Sequence, residues 1–206
     1  MSFNGFKEED FDVFQLEGLE PRMEALISTI RPKLEALGEH FAPTLSSLTG
    51  NDMYYHVAKH ARRTINPPQD TWVAFANNKR GYKQHPHFQI GLWGTHVFIW
   101  FAVIYEAPFK KEYASTLLQK INEINSSIPS DFVWSSDHTK PNVIKMSDMN
   151  ETELIHLFHR LQTVKKAELL CGVSISRNKA VSMSSDDWMN VINHAFVKLL
   201  PLYQMT

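Results

Sequence analysis

Histidines and basic side chains are concentrated in one part of this 206-residue chain, between residues 56 and 105. Half of the ten histidines lie there: His56, His60, His85, His87 and His96. Histidine is the commonest metal ligand and changes charge near neutral pH, so this group could hold a metal or move a proton. Arginine and lysine bind phosphate and carboxylate oxygens. The same segment contains the longest apolar run, residues 97–105, which predicts a sheet with a cationic, aromatic surface.

The basic side chains give this segment a strong local charge. Residues 56–83 carry six bases against the single acid Asp70, a balance of +5, and the bases are Lys59, Arg62, Arg63, Lys79, Arg80 and Lys83. Residues 1–52 carry ten acids against four bases, a balance of −6. Two interpretations stay open: the basic loops attract and bind an anion, or they pack against the acidic N-terminal helices.

The predicted ligand-binding residues combine these bases with polar and aromatic groups of the neighbouring strands: Arg62, Arg63, Lys79, Arg80, Lys83, His87, Gln89 and Trp100. Guanidinium groups match phosphate and carboxylate oxygens bidentately, so the expected ligand is an anionic small molecule. The loop around Gly81 lacks the GxxxxGK[ST] pattern, so nucleoside triphosphate hydrolysis has no support. A nucleic-acid partner is not favoured, because the formal net charge is only −1 and the usual basic excess is missing.

Metal chemistry and catalysis have weaker support. No cysteine or carboxylate has matching spacing to the histidines and HExxH is absent, so neither a metal site nor a cofactor is predicted. An enzyme acting on a phosphorylated or carboxylated metabolite would use His87 or His96 as its base, but no nucleophile motif accompanies them. The lone cysteine, Cys171, lies in an apolar strand, where a buried, inert thiol is expected.

Residues 87–105 predict a β-hairpin around Gly94-Thr95, a plausible two-residue turn. The turn fixes a register in which one face is wholly apolar, with the pairs Leu92–Val97, Ile90–Ile99 and Phe88–Phe101. The opposite face is mixed, with the pairs Trp93–His96, Gly91–Phe98, Gln89–Trp100 and His87–Ala102. We expect helices to cover this mixed face, and a ligand platform is the alternative.

The remaining pattern alternates helices and strands, which predicts an α+β fold with a mostly antiparallel sheet and helices on at least one face. One domain spans residues 1–206, with a helical part at 1–50, the main strand block at 54–105 and mixed helices and strands at 106–206. Pro32 and Pro201 are expected to end or kink their helices. Ser147 is expected to cap one helix and Ser184 with Asp187 another, and residues 177–179 are expected to form a turn.

The chain shows no sign of export or membrane insertion. Its longest apolar run is nine residues, whereas a membrane-spanning helix needs about 20. The first residues are acidic and lack the order of a secretory signal. With a single cysteine, no internal disulfide can form, so we expect a cytoplasmic protein without a membrane partner.

Long motifs then resemble the uncharacterised YktB-like family of low-GC Gram-positive bacteria. The resemblance is carried by HVAKHARRTINPP, DTWVAFANNKRGYK, PHFQIGLW and THVFIW, and by the opening FNGFKEEDFDVFQLEGLEPRM and IRPKLEALGEHFAP. It spans nearly the whole chain and implies a compact cytosolic α+β domain. The family has no assigned activity, cofactor or catalytic residues to transfer.

The sequence therefore predicts a fold class and a family, but it does not predict a specific activity. The leading hypothesis is a non-enzymatic binding or regulatory module with a cationic pocket for an anionic ligand. The alternatives are an enzyme with a histidine base and a protein-interaction module in which basic and acidic halves of different copies meet. The oligomeric state is not predicted.

Overall fold

A seven-stranded antiparallel sheet organises the molecule. The computed structural model describes residues 3–206. The strands are β1 (Tyr54–Val57), β2 (Asp70–Ala76), β3 (His87–Trp93), β4 (His96–Val103), β5 (Val133–Ser135), β6 (Ile144–Lys145) and β7 (Leu169–Ser176). Their order across the sheet is β1-β2-β3-β4-β7-β5-β6, and every neighbouring pair is antiparallel. The α+β class predicted from the sequence is confirmed.

The β3–β4 hairpin has the predicted register. Leu92 pairs with Val97, Ile90 with Ile99 and Phe88 with Phe101, and the mixed-face pairs from Gly91–Phe98 to His87–Ala102 also form. Since side chains alternate along a strand, this register separates the sheet into two faces of different chemistry. We call them the apolar face and the mixed face.

Helices pack on the apolar face. They are α1 (Glu8–Asp12), α2 (Leu19–Ala25), α3 (Arg31–Thr49), α4 (Lys110–Gln119), α5 (Ile121–Ser127), α6 (Glu151–Thr163), α7 (Arg177–Ser182) and α8 (Ser185–Gln204). Phe196 of α8 contacts Phe75 and Phe88 at ring-centroid distances of 5.9 and 5.3 Å. The buried apolar residues of the described helices all belong to this main core.

The expectation that helices also cover the mixed face was wrong. The second, smaller apolar cluster on that face contains no helical residue. Side chains from three loop segments (residues 58–69, 77–86 and 136–143) contact it instead. Loops can supply backbone groups and short polar side chains to the buried His and Gln of this face, whereas an amphipathic helix presents an apolar stripe.

Pro201, which was expected to end its helix, lies inside it, and Pro32, which was expected to end or kink its helix, does not end it. Pro32 is the second residue of α3, which continues from α2 through a π-helical turn, Leu26–Ile30. A π turn shifts the backbone hydrogen bonds, so the chain continues past the proline without an end. Pro201 lies in the last turn of α8, which extends to Gln204. The proline removes one backbone hydrogen bond there without ending the helix.

Two further local predictions were wrong and one is confirmed. Asn150, not Ser147, caps α6, through a reciprocal pair of hydrogen bonds with Glu153. Residues 177–179 begin the short helix α7 and are not a simple turn. Ser184 and Asp187 do form the expected capping box of α8. Within residues 3–206, no helix is both long and apolar enough to cross a bilayer.

Candidate functional site

Aromatic side chains of three adjacent strands enclose a small chamber on the mixed face. Its walls are Trp72, Trp93, Phe98 and Trp100, and Asp70, Gln89, His138, Lys140 and Leu170 complete its lining. The strand register explains this grouping, because Asp70 pairs with Trp93 and Gln89 with Trp100. We call this group the tryptophan chamber. Its free volume of about 10 Å³ is enough for about one water molecule.

Asp70 is the acidic residue of the chamber, and burial shifts its pKa. Its side chain makes no hydrogen bond or ion pair to another residue within 3–206, although it is only 9% exposed. Burial raises the pKa of Asp70 to about 6, against the opposing charges of His138 and Arg63. At neutral pH the chamber therefore holds a largely ionised carboxylate that accepts from its own backbone N–H and forms no ion pair within residues 3–206.

His138 reaches the chamber from the segment 136–143 and is held by Glu168. Both the backbone N–H and Nδ1 of His138 lie within hydrogen-bond distance of the same Glu168 oxygen, at 2.9 and 2.7 Å. Burial alone would lower the pKa of His138, but the hydrogen bond and charge of Glu168 outweigh it and raise the pKa. A carboxylate that orients an imidazole in this way is an arrangement found at general bases and metal ligands.

A metal ion is not the simplest occupant beside His138. Ligand atoms of Asp137, His138 and Glu168 lie within 4.8 Å of one another. The Glu168 carboxylate already accepts from both His138 donors and from the backbone N–H of Tyr105. Asp137 accepts from Thr139 and pairs with Lys140. These hydrogen bonds describe a satisfied ion-pair network.

His87, a predicted site residue, is completely buried beneath the segment 77–86. Its Nδ1 lies 2.8 Å from the carbonyl of His85, and its Nε2 lies 3.1 Å from the amide nitrogen of Gln89. Because the amide donates, Nε2 accepts and Nδ1 carries the proton, so both ring nitrogens of neutral His87 are engaged. Burial lowers the pKa of His87 to about 4.

A basic cleft lies beside the chamber, on the other side of Tyr82. Its volume is about 520 Å³, and it is lined by His56, Asn78, Arg80, Gly81, Tyr82, Lys83, Gln84, His85 and Glu106. Tyr82 separates the two cavities, since its hydroxyl accepts a hydrogen bond of 2.9 Å from Trp72 Nε1. Asn78 shapes the loop by accepting from the Arg80 backbone N–H and binding His56 through its carbonyl.

The cations of this cleft are exposed and only one of them is paired. Lys83 forms an ion pair of 3.2 Å with Glu106. Arg80 has no carboxylate partner in the described part of the chain and is solvent-exposed. The arrangement can therefore accept an oxyanion, with a guanidinium available for bidentate contact.

The other predicted basic residues do not join this cleft. Arg62 and Arg63 are exposed in the segment 58–69, which precedes β2, whereas Arg80 and Lys83 follow β2. Lys79 lies over the ring of Tyr54, 5.3 Å from its centroid. The eight predicted site residues thus fall into a cleft group (Arg80 and Lys83), a buried group (His87, Gln89 and Trp100) and outlying cations.

The basic loops are not neutralised by the acidic N-terminal helices. Asp10 pairs with Lys33, and Glu8 and Asp12 both pair with Arg177. Across residues 3–206, no ion pair joins an acid of the N-terminal helices to a base between residues 56 and 83. Direct ion pairing between the two segments is therefore absent from residues 3–206, although Lys79 lines a cavity together with Glu39 of α3.

Asp70, His138 and Glu168 escaped sequence-based reasoning, as did the role of Trp72. Asp70 and Trp72 alternate along β2, so they share one face of the sheet. His138 and Glu168 are 30 residues apart in sequence, and only the tertiary fold brings them together.

A larger cavity of about 580 Å³ lies elsewhere, between β6 and α6. It is lined largely by apolar groups such as Val143, Ile144 and Leu157. None of the predicted site residues lines it.

Comparison with known proteins places the chain among uncharacterised bacterial proteins. A UPF0637 protein of Bacillus velezensis is 59% identical over 98% of this chain and 96% of its own length. A UPF0637 protein of Bacillus licheniformis is 58% identical over 100% of this chain and 98% of its own length. A conserved hypothetical protein from Pyrococcus furiosus aligns with 89% of this chain and 97% of its own at 12% identity, with a TM-score of 0.45, which is too distant to inform fold or site. The model of the family described as "Domain of unknown function (DUF1054)" matches residues 6–203, so the chain belongs to that family, and the uncharacterised family predicted from the sequence is confirmed.

Proposed function

We propose that this protein is a cytoplasmic, non-enzymatic binding or regulatory module that holds an anionic small molecule in its basic cleft. The observation that carries the proposal is the exposed guanidinium of Arg80, which lies in a cavity of about 520 Å³ without a carboxylate partner among residues 3–206. Cavities of this size fall within the range of small-molecule sites. The buried free thiol of Cys171 fits a reducing compartment.

The cleft suits a small anion better than a polymer. Its charged lining consists of Arg80, Lys83 and Glu106, so its net charge is close to +1 at neutral pH when the histidines are neutral. A nucleic-acid groove needs a row of cations along the backbone. Tyr82 and the imidazoles of His56 and His85 add flat surfaces on which a heterocycle could stack.

The enzymatic alternative gains no support from His87. A general base must reach the proton that it removes. His87 is buried, and both of its nitrogens are engaged by His85 and Gln89.

A thermal-shift panel of inorganic phosphate, nucleotides and dicarboxylates tests the proposal. A ligand present at about 100 times its Kd adds about 2.7 kcal/mol to the free energy of unfolding. For a chain of this size, that gain corresponds to a rise in Tm of about 5–10 °C. We expect at least one anion to give such a rise, and Arg80→Ala to remove most of it.

Arg62→Ala is the matched control, because it removes an equally exposed arginine that lies outside the cleft. The control should keep the full rise in Tm. Equal losses in the two variants would show that only the general positive field matters, and the absence of any anion-dependent rise in the unmodified protein would refute the proposal.

A further inference from the structure

The tryptophan chamber has the composition of a site for an organic cation. Indole faces carry negative electrostatic potential and attract ammonium groups, tryptophan more strongly than any other side chain. Three tryptophans and Phe98 surround the chamber, and Phe98 packs edge-on against Trp100 with centroids 5.3 Å apart.

Asp70 is the acidic residue of the chamber lining, and it forms no ion pair within residues 3–206. His138 contacts Glu168 and Lys140 contacts Asp137, so neither is in direct contact with Asp70, and the charges of His138 and Arg63 act on it without a direct contact. Asp70 is nine-tenths buried and makes no hydrogen bond to another residue in the described chain. Its carboxylate is desolvated, with a hydrogen bond from its own backbone N–H and the charges of His138 and Arg63 acting on it, and a ligand cation would give it a direct ionic partner.

A polar group on one of the chamber's tryptophans lacks a partner. The indole Nε1 of Trp100 is buried and has no hydrogen-bond acceptor within residues 3–206. An unsatisfied buried donor costs free energy, so a ligand that carries an oxygen beside its ammonium group would satisfy it. A ligand that suits both groups therefore carries a positive charge near Asp70 and an oxygen acceptor near Trp100.

The chamber must open to admit such a ligand. Its free volume of about 10 Å³ is smaller than any methylated ammonium group. The segment 136–143 contributes His138 and Lys140 to the lining and has no helix or strand. It is attached to the body of the protein near the chamber through the two contacts of His138 with Glu168.

From this geometry, we propose that the tryptophan chamber is a second binding site, distinct from the basic cleft, for a small methylated ammonium compound that carries a hydroxyl or carboxylate oxygen. Asp70 neutralises the ammonium group, Trp72, Trp93 and Trp100 surround it, and the segment 136–143 moves to admit it.

Tryptophan fluorescence measures this binding directly, because three of the five tryptophans line the chamber while Trp134 and Trp188 lie in the main core. The probes are choline and its uncharged isostere 3,3-dimethyl-1-butanol, each titrated against sodium chloride of equal ionic strength. We expect choline to give a saturable change and the isostere to bind much more weakly. Asp70→Asn should weaken choline binding about tenfold or more, since a charged partner is removed.

Matched variants separate this proposal from folding defects and from the basic cleft. Asp131→Asn removes an exposed acid that does not line the chamber and should leave choline affinity unchanged, as should Arg80→Ala. Trp93→Leu keeps an apolar side chain but removes the π face, and should weaken choline without affecting the isostere. Melting curves establish that each variant is folded.

Three results would overturn the proposal: no saturable response to choline in the unmodified protein, equal affinities for choline and the isostere, or choline affinity that is unchanged in folded Asp70→Asn and Trp93→Leu. Phosphate binding at the cleft, measured in the same samples, reports on the other proposal independently.

Discussion

Asp70 occupies a position where burial decides the protonation state of a carboxyl group. The charges facing it come from His138 and Lys140 on the segment 136–143 and from Arg63 on the segment 58–69. None of these residues forms an ion pair with Asp70. The folded protein therefore holds the Asp70 proton more tightly than the unfolded chain, in which the pKa lies near 3.8.

This difference predicts that Asp70→Asn stabilises the protein at neutral pH. Because the folded-state pKa of Asp70 is raised, its contribution to the free energy of unfolding falls as pH rises from about 4 to about 6 and stays low above that. Asparagine does not ionise, so the variant does not lose stability over this pH range. Its free energy of unfolding should exceed that of the unmodified protein by about 2–3 kcal/mol at pH 7 and nearly equal it at pH 4. Urea unfolding at several pH values measures the difference.

Asp131→Asn serves as the control for this pH series and should give parallel curves. The account is contradicted if Asp70→Asn is less stable than the unmodified protein at pH 7 but not at pH 4. That result would mean that a favourable partner stabilises the ionised Asp70 carboxylate.

Gly91 of β3 allows the aromatic side chains of the neighbouring strands β2 and β4 to come together at the chamber. Gly91 lies between Trp72 and Phe98 in the strand register. A Cβ atom at this position would lie 2.6 Å from the Thr71 carbonyl oxygen and 2.7 Å from Trp72 Cβ, and it would also meet the Phe98 ring. The absence of a side chain at Gly91 allows the aromatic rings to approach across the sheet.

Gly91→Ala should therefore destabilise the protein by about 1–3 kcal/mol through overpacking. Gly81→Ala is the matched control, since a Cβ atom there would meet no atom within 4 Å. Its free energy of unfolding should stay within about 0.5 kcal/mol of that of the unmodified protein. Chemical denaturation compares the two variants. Equal stabilities would show that the rings above Gly91 adjust without cost.

Strand elements were predictable where a turn and a side-chain alternation agreed. Gly94-Thr95 and the flanking apolar positions fixed the β3–β4 register, which the structure reproduces. Helix ends were less predictable, because Pro32 follows a π-helical turn and Pro201 is accommodated inside α8, which extends to Gln204. These are tertiary adjustments, and local sequence rules do not contain them.

At the scale of the whole molecule, the helices lie on one side of the sheet and loops on the other. The N-terminal acids are engaged by Lys33 and Arg177, which leaves the cations of the loops available. The sequence indicated the excess of basic residues in the segments before and after β2, but not that Arg80 and Lys83 line the cleft without Arg62 and Arg63. The chamber also required the fold, which joins Asp70 to His138 across 68 positions of sequence.

The most direct measurement of the central claim is an NMR titration that follows the histidine ring and arginine side-chain signals while inorganic phosphate or a nucleotide is added. If the basic cleft is the anion site, the signals of His56, His85 and Arg80 shift together and saturate, while those of Arg62, Arg63 and His138 stay in place. Saturable shifts confined to Arg62 and Arg63, or no saturable shift at Arg80 with any anion, would contradict the account.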